Sequence, residues 1–353
     1  SIELDPARSL TVAEVDANGK RTDLAYDPVG RLTEVWLADR PKDRFTPSMK
    51  FGYHLSKDAP TYVTTSSLNP HGDYTTTYQI HDGWLRVRQT QSPTSDGGRL
   101  TSDILHDSRG LQIQTRDAYP SEGDPSGTLF VVNNTDDIPR YTNTVYDGAE
   151  RPLHQIQMSR GQEQYRTSTE YDGEQTRMTP PEGGTGTTTI TDLRGNTVEL
   201  RHHHGRQPTG DYDTIHYTYT HSDELETVTD TAGNEWRYTY DINGRRTSSS
   251  DPDTGTTTYT YDALDQVTSS TDARGQTLVH VYDALGRKIA LHEDSAEGPL
   301  RVEWVYDTLA KGHLTSSTRY VDGNAYTNRV VTYDRFYRPI TTEVLIPSSE
   351  PGL

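Results

Sequence analysis

One spacing governs what this chain can fold into. Tyr219, Tyr240, Tyr261 and Tyr282 stand 21 residues apart, and Asp230, Asp251 and Asp272 keep the same interval between them. Tyr-Asp pairs recur outward at Tyr306-Asp307 and Tyr333-Asp334, and earlier at Tyr26-Asp27, Tyr146-Asp147, Tyr171-Asp172 and Tyr212-Asp213. Nine of the 23 tyrosines are followed directly by Asp, where composition alone predicts roughly two. The chain is an array of one repeated unit.

Each half of the period reads as one strand. Trp236-Arg237-Tyr238-Thr239-Tyr240 and Thr277-Leu278-Val279-His280-Val281-Tyr282 alternate with period two and carry β-branched and aromatic residues, the pattern of a strand with one covered face. Asp241-Ile242-Asn243-Gly244-Arg245 and Asp283-Ala284-Leu285-Gly286-Arg287 follow. They fit a type I turn in which Asp caps the turn and Gly takes the left-handed position. Asp-x-x-Gly begins at Asp16, Asp27, Asp107, Asp124, Asp192, Asp230, Asp241, Asp272 and Asp283, at both ends of the unit. Asp262-Ala263-Leu264-Asp265 places Asp where Gly is expected.

The unit is therefore an up-and-down hairpin whose strands run ~6–8 residues, or ~20–27 Å. Stacking such hairpins predicts a ladder of the tyrosines at 219, 240, 261 and 282 across one sheet face, with Arg245 and Arg287 lying over rings as cation–π partners. The expected fold is all-β, a long antiparallel sheet of some ~25–35 strands, which accumulated strand twist must curve or coil into a spiral.

These units resemble the Rhs, or YD-repeat, family. Tyr26-Asp27-Pro28-Val29-Gly30-Arg31, Tyr240 to Arg245 and Tyr282 to Arg287 match its Tyr-Asp-x-x-Gly-Arg core in full. Recognisable units span Val15 to Arg338, regular over 144–338 and diluted, with longer loops, over 36–143. Arg40 to Pro60, Ser92 to Gly98 and Pro120 to Gly127 read as hairpin tips or insertions. No shift in composition marks a boundary, so residues 1–353 are expected to form one segment. A start at Ser1 and an end in mid-pattern at Pro351-Gly352-Leu353 suggest a piece of something longer. The resemblance implies part of a hollow β-cocoon that encloses a toxic C-terminal polypeptide, secreted or at the cell surface, with similar barrels in insecticidal toxin complexes and animal teneurins. Its expected partners are that enclosed effector or a companion shell segment.

Composition narrows the chemistry further. A net charge of −18 repels phosphate backbones, which argues against nucleic-acid binding. The chain has no cysteine, hence no disulfide or thiolate metal site, and no apolar run long enough to span a membrane. His202, His203 and His204 alternate in direction on a strand, so only two can converge, and no further ligand spacing accompanies them. Gly183-Gly184-Thr185-Gly186 leads into a Thr-rich strand instead of a helix and reads as a loop. The Asp-Pro pairs at Asp5, Asp27, Asp124 and Asp251 are scattered, unlike the paired Asp-Pro motifs that the resemblance associates with a self-cleaving plug. No cofactor is called for.

The expected function is thus structural and non-catalytic, with repeat positions Tyr26, Asp27, Gly30, Arg31, Tyr146, Asp147, Tyr171, Asp172, Tyr219, Tyr240, Asp241, Gly244, Arg245, Tyr261, Asp262, Tyr282, Asp283, Gly286, Arg287, Tyr306, Asp307, Tyr333 and Asp334 carrying it. The main alternative is a surface adhesion or glycan-binding module stacking sugars on Trp236, Tyr238 and Trp304. A weaker one is a polysaccharide-cleaving enzyme using paired carboxylates.

Overall fold

The computed structural model describes residues 1–350; the expectation at Pro351-Gly352-Leu353 lies outside them. The described residues form 28 β-strands and one short 3-10 turn at Thr135–Asp137, and the pairings between successive strands are antiparallel. The all-β, repeated-hairpin expectation holds. Among the described residues no helix is long and apolar enough to cross a membrane. Contacts group into two units, one of Ser1–Thr188 with His202–Asp211, the other of Thr189–Arg201 with the residues from Tyr212 on.

In the second unit the two faces of the sheet differ in chemistry. Register places Tyr259, Ser270, Leu278 and Glu293 in one row across four strands, and Leu291, Val302 and Arg319 in another on the same face. The opposite face carries hydroxyl pairs: Thr218 with Thr227, Thr260 with Ser269, Thr318 with Thr327. Tyrosine, Leu and Val half-cover one side, while Thr and Ser bond across strands on the other, as the period-two alternation dictates.

In the first unit a small apolar cluster forms where Tyr119, Ile138 and Tyr141 are buried together with Phe130, Val132 and Met158 around them. Phe130, Val132 and Ile138 come from the long connection between the strands Gln112–Ser121 and Tyr141–Tyr146, which packs back on the sheet.

The turns follow one geometry. At Asp16, Asp27, Asp107, Asp192, Asp230, Asp241, Asp272 and Asp283 the Asp N–H donates to the carbonyl four residues on, and the Gly N–H donates back to the Asp carbonyl at 2.9–3.1 Å. The glycines at 244 and 286 have φ of 77° and 78°, as a left-handed closing position requires. The same turn forms without Gly at Leu85, Glu150, Asp223, Asp265 and Tyr337, with φ of 61–66°.

Four expectations need correction. Asp124 to Gly127 is not a turn: the Asp124 carbonyl accepts Arg99, and the segment is drawn across the sheet by side chains described below. Tyr212-Asp213 does not precede a turn, because Tyr212 opens the strand Tyr212–Tyr219. Asp172 caps no five-residue turn; it pairs with Gln175 across a two-residue Gly173-Glu174 tip. Within Arg40 to Pro60, read as loop, the strand Met49–His54 forms because Lys50, Phe51 and Tyr53 find cross-strand partners in Ser66, Thr65 and Val63.

Leu85 adopts φ 61° with 65% of its surface exposed. A bulky residue there pays a left-handed penalty of ~1–2 kcal/mol, against ~0.4–1 kcal/mol of added unfolded-state entropy for Gly. Leu85→Gly is therefore expected to stabilise by ~0.5–1 kcal/mol, read as a raised urea midpoint with unchanged slope.

Candidate functional site: a clamp repeated between hairpins

The aspartate that caps each turn does two things at once. Its Oδ1 accepts backbone N–H groups two and four residues on, as at Asp27 from Val29 and Arg31, at Asp241 from Asn243 and Arg245, and at Asp283 from Leu285 and Arg287. Its Oδ2 accepts the side chain of an arginine four residues on. Six turns share this pairing: Arg31, Arg86, Arg151, Arg245, Arg287 and Arg338 donate from Nε to their Asp at 2.6–2.8 Å. Folded back in this way, the guanidinium is presented flat to the next hairpin.

That next hairpin supplies a ring. Arg31 lies 4.5 Å over Tyr53, Arg151 4.2 Å over Tyr171, Arg245 4.9 Å over Tyr261 and Arg287 4.4 Å over Tyr306. The free edge of the guanidinium then reaches the following turn. Arg245 donates to the Asp262 carbonyl and Asp265 Oδ1, both at 2.9 Å, and Arg287 binds both Asp307 oxygens at 3.0 and 2.6 Å. Asp265 is thus more than a poor substitute for glycine, because its carboxylate receives the preceding arginine. Where Gln266 stands in the arginine position, its Nε2 still donates to the Gly286 carbonyl of the next turn at 3.2 Å.

The tyrosine hydroxyls close the unit. Tyr26 donates to the Thr11 carbonyl, Tyr219 to Thr197, Tyr240 to Leu225, Tyr261 to Arg246, Tyr282 to Val267 and Tyr306 to Lys288, at 2.7–3.2 Å. Tyr53, Tyr146, Tyr171 and Tyr333 do the same to Leu32, Gln112, Pro152 and Leu314, at 2.5–3.2 Å. In nearly every case the acceptor is the first residue after the turn of the hairpin before. The tyrosines of the expected ladder therefore act as struts to the preceding hairpin, without stacking ring on ring. Equivalent strands lie two apart, or ~9.5 Å, beyond ring-stacking distance, and the gap is filled by guanidinium and backbone.

Electrostatics follow from this wiring. Backbone N–H groups of Arg151, Arg287 and Arg338 hold Asp147, Asp283 and Asp334 below the ordinary carboxylate range; their guanidinium groups add to this against the opposing effect of desolvation. The Arg287 hydrogen bonds bring Asp307 down to about 2. Burial raises Tyr219, Tyr240 and Tyr282. Among the described residues no group of His, Asp and Glu is arranged to hold a metal; His203 is buried, with Nε2 2.9 Å from the Thr188 hydroxyl. Trp236 donates its indole N–H to Asp251, and Arg246 lies 5.6 Å from both Tyr238 and Tyr259.

The sequence reasoning missed Tyr53, Asp82, Arg86, Arg151 and Arg338 as members of the clamp. Asp-x-x-x-Arg, without the flanking Tyr or Gly, is the signal that would have found the four charged ones.

Two outcomes are expected. Tyr282→Phe and Tyr240→Phe keep the ring and remove the strut, and each costs ~0.5–1.5 kcal/mol in urea unfolding; a ring-stacking role would leave them neutral. Because the folded carboxylates titrate below their unfolded values, their contribution is present above pH ~4 and lost as pH falls toward ~2. The thermal midpoint should thus hold steady down to about pH 5 and drop between about 4 and 2, less steeply in Asp307→Asn.

No curated protein matches the chain by sequence. The RHS repeat family model matches residues 219–256, 243–277 and 261–298. Among solved structures, TcdB2-TccC3 without its hypervariable C-terminal region aligns with a TM-score of 0.76 at 12% identity, over 98% of this chain and 23% of that one. The intact TcdB2-TccC3 aligns with 0.73 at 14% identity over the same shares, and the Photorhabdus luminescens Tc holotoxin pore with 0.75 at 12%, over 98% and 25%. The chain spans about a quarter of the length of these proteins, and at such identity they share its fold. Residues 219–298 thus carry RHS repeats by sequence, and the chain as a whole has the fold of these Tc toxin structures.

Proposed function

We propose that the chain is a length of shell wall that wraps and shields another polypeptide for delivery, without catalysis of its own. The observation that carries this reading is the fold match over 98% of the chain to Tc toxin structures. The clamp supports it, because its Asp–Arg pairing recurs from Arg31 to Arg338. A reaction centre needs one special constellation, whereas a wall needs many equivalent joints. The Tyr-Asp positions are then wall joints, and residues 1–353 are one stretch of wall.

The enclosed partner in this reading is a C-terminal effector polypeptide, or a companion shell segment completes the enclosure; TcdB2-TccC3, of like fold, has a hypervariable C-terminal region. Secretion or display at the cell surface follows from that role. A glycan-binding face has less to recommend it, since Asp251 and Arg246 occupy polar and ring surfaces of Trp236, Tyr238 and Tyr259 that a sugar would need.

The test is protease protection of the purified natural-length protein, followed by mass spectrometry. A polypeptide outside the repeats should survive while the sheet is folded and become digestible once it is opened with denaturant. Equal digestion of every non-repeat segment before and after opening would sink the proposal.

A further inference from the structure

Residues 124–132 lie on the face of the first unit's sheet that carries Tyr62, Ile80, Gln89 and Asp103 in one row. This is the face opposite Tyr53 and Val63, which neighbour His54 and Tyr62 along their strands. Two side-chain amides hold the segment by its backbone. Gln91 accepts the Ser126 N–H at 2.9 Å and donates to the Thr128 carbonyl at 2.8 Å; Gln89 accepts the Phe130 N–H and donates to the Phe130 carbonyl, both at 2.8 Å. Gln89 takes both backbone groups of one residue, as an extended peptide offers them, whereas the two backbone partners of Gln91 flank Gly127. The segment crosses the sheet face with a bend at Gly127 and Thr128.

The amides are fixed in place. Both glutamines are fully buried. Gln91 donates to Gln89 at 2.7 Å, Gln89 donates to Asp103 at 2.8 Å, and Asp103 is held by Arg88 at 2.7 Å and the Tyr119 hydroxyl at 2.9 Å. Three side-chain positions of the segment are constrained. A Cβ on Gly127 would stand 2.1 Å from the Tyr62 ring, itself stacked on His54. The Phe130 ring lies under Arg99 at 4.3 Å and, with Val132, meets the buried cluster. Val131 points away, 70% exposed. The segment is tethered at both ends, by Arg99 on the Asp124 carbonyl and by buried Ile138.

We propose that this groove is a binding site for a polypeptide segment that bends at a glycine, and that residues 124–132 occupy it as the chain's own ligand. The recognised pattern is Gly, two free positions, an aromatic residue, one free position and an aliphatic residue, with the remaining contacts made to backbone. A segment of that pattern can exchange with the strap while the sheet beneath stays paired. The inference does not depend on what the wall encloses.

The test replaces Pro125 to Val132 in the full chain by an alternating Gly-Ser run of equal length, and adds a fluorescein-labelled peptide of residues 122–133. Saturable anisotropy change is expected for the replaced chain and at least ~10-fold weaker binding for the unaltered one, whose tethered strap competes at high effective concentration. Gln89→Leu with Gln91→Leu in the replaced chain, or Gly127→Val in the peptide, should each weaken binding ~10-fold or more. Equal binding to both chains, or none to a replaced chain that keeps its β-sheet circular dichroism, overturns the proposal. Should replacement unfold the sheet, amide exchange in the intact protein decides. The Ser126 and Phe130 amides are expected to be protected and to lose protection in the Gln89→Leu, Gln91→Leu variant alone; fast exchange in the unaltered chain overturns the groove.

Discussion

An arginine that serves two hairpins at once is the interaction on which the rest of this structure depends. A chain only 30% apolar cannot build a continuous oily core, and a two-stranded hairpin is marginal alone. At Arg31, Arg151, Arg245 and Arg287 the turn's aspartate folds its own arginine into a plate, and the next hairpin's tyrosine is seated on that plate. Arg287 shows the full set: Asp283 behind it, the Tyr306 ring beneath and Asp307 ahead. Because each joint links only neighbouring hairpins, stability sums along the chain as nearest-neighbour terms.

Within the joint the contributions are unequal. Ion pairs in contact with solvent are weak and screened, so the acid–arginine pairing acts mainly by fixing geometry. The tyrosine strut has the better physical position: its ring is half-buried and its hydroxyl meets a carbonyl next to the turn, where the bulged strand leaves the ladder irregular. Register shifts fall at the Tyr position in the pairs ending at Tyr26, Tyr219, Tyr240, Tyr261, Tyr282 and Tyr306. The strut thus reaches across to the preceding unit at the place where ordinary strand pairing is interrupted.

Much of this was legible from sequence because it is local. Period-two alternation, the Asp cap and the left-handed Gly are all set within five residues, so strands and turns at Asp241 and Asp283 could be read directly. The reach of Arg245 to Asp265 could not, since it spans 20 residues and depends on register. The hydroxyl struts were hidden for the same reason: spacing along the chain does not say which carbonyl of the preceding hairpin a tyrosine meets. Asp124 misled because Asp-x-x-Gly is a local preference, and Gln89, Gln91 and Arg99 offer its backbone better partners than a turn would. Nothing in the sequence distinguished those glutamines from any polar residues on a strand.

The two ways in which this chain holds its own polypeptide have opposite demands on sequence. Joint to joint, it specifies side chains: tyrosine for the strut, aspartate for the cap, arginine for the plate. Across the strap it specifies almost none, because a buried glutamine amide offers one donor and one acceptor in the spacing of a peptide group and so satisfies any backbone presented to it. Desolvating those amides without partners would cost ~1–3 kcal/mol each, so the face that bears Gln89 and Gln91 requires an occupant. An occupant that bends at a glycine over Tyr62 meets that requirement, and the chain carries one twenty-odd residues beyond the strand that bears Asp103.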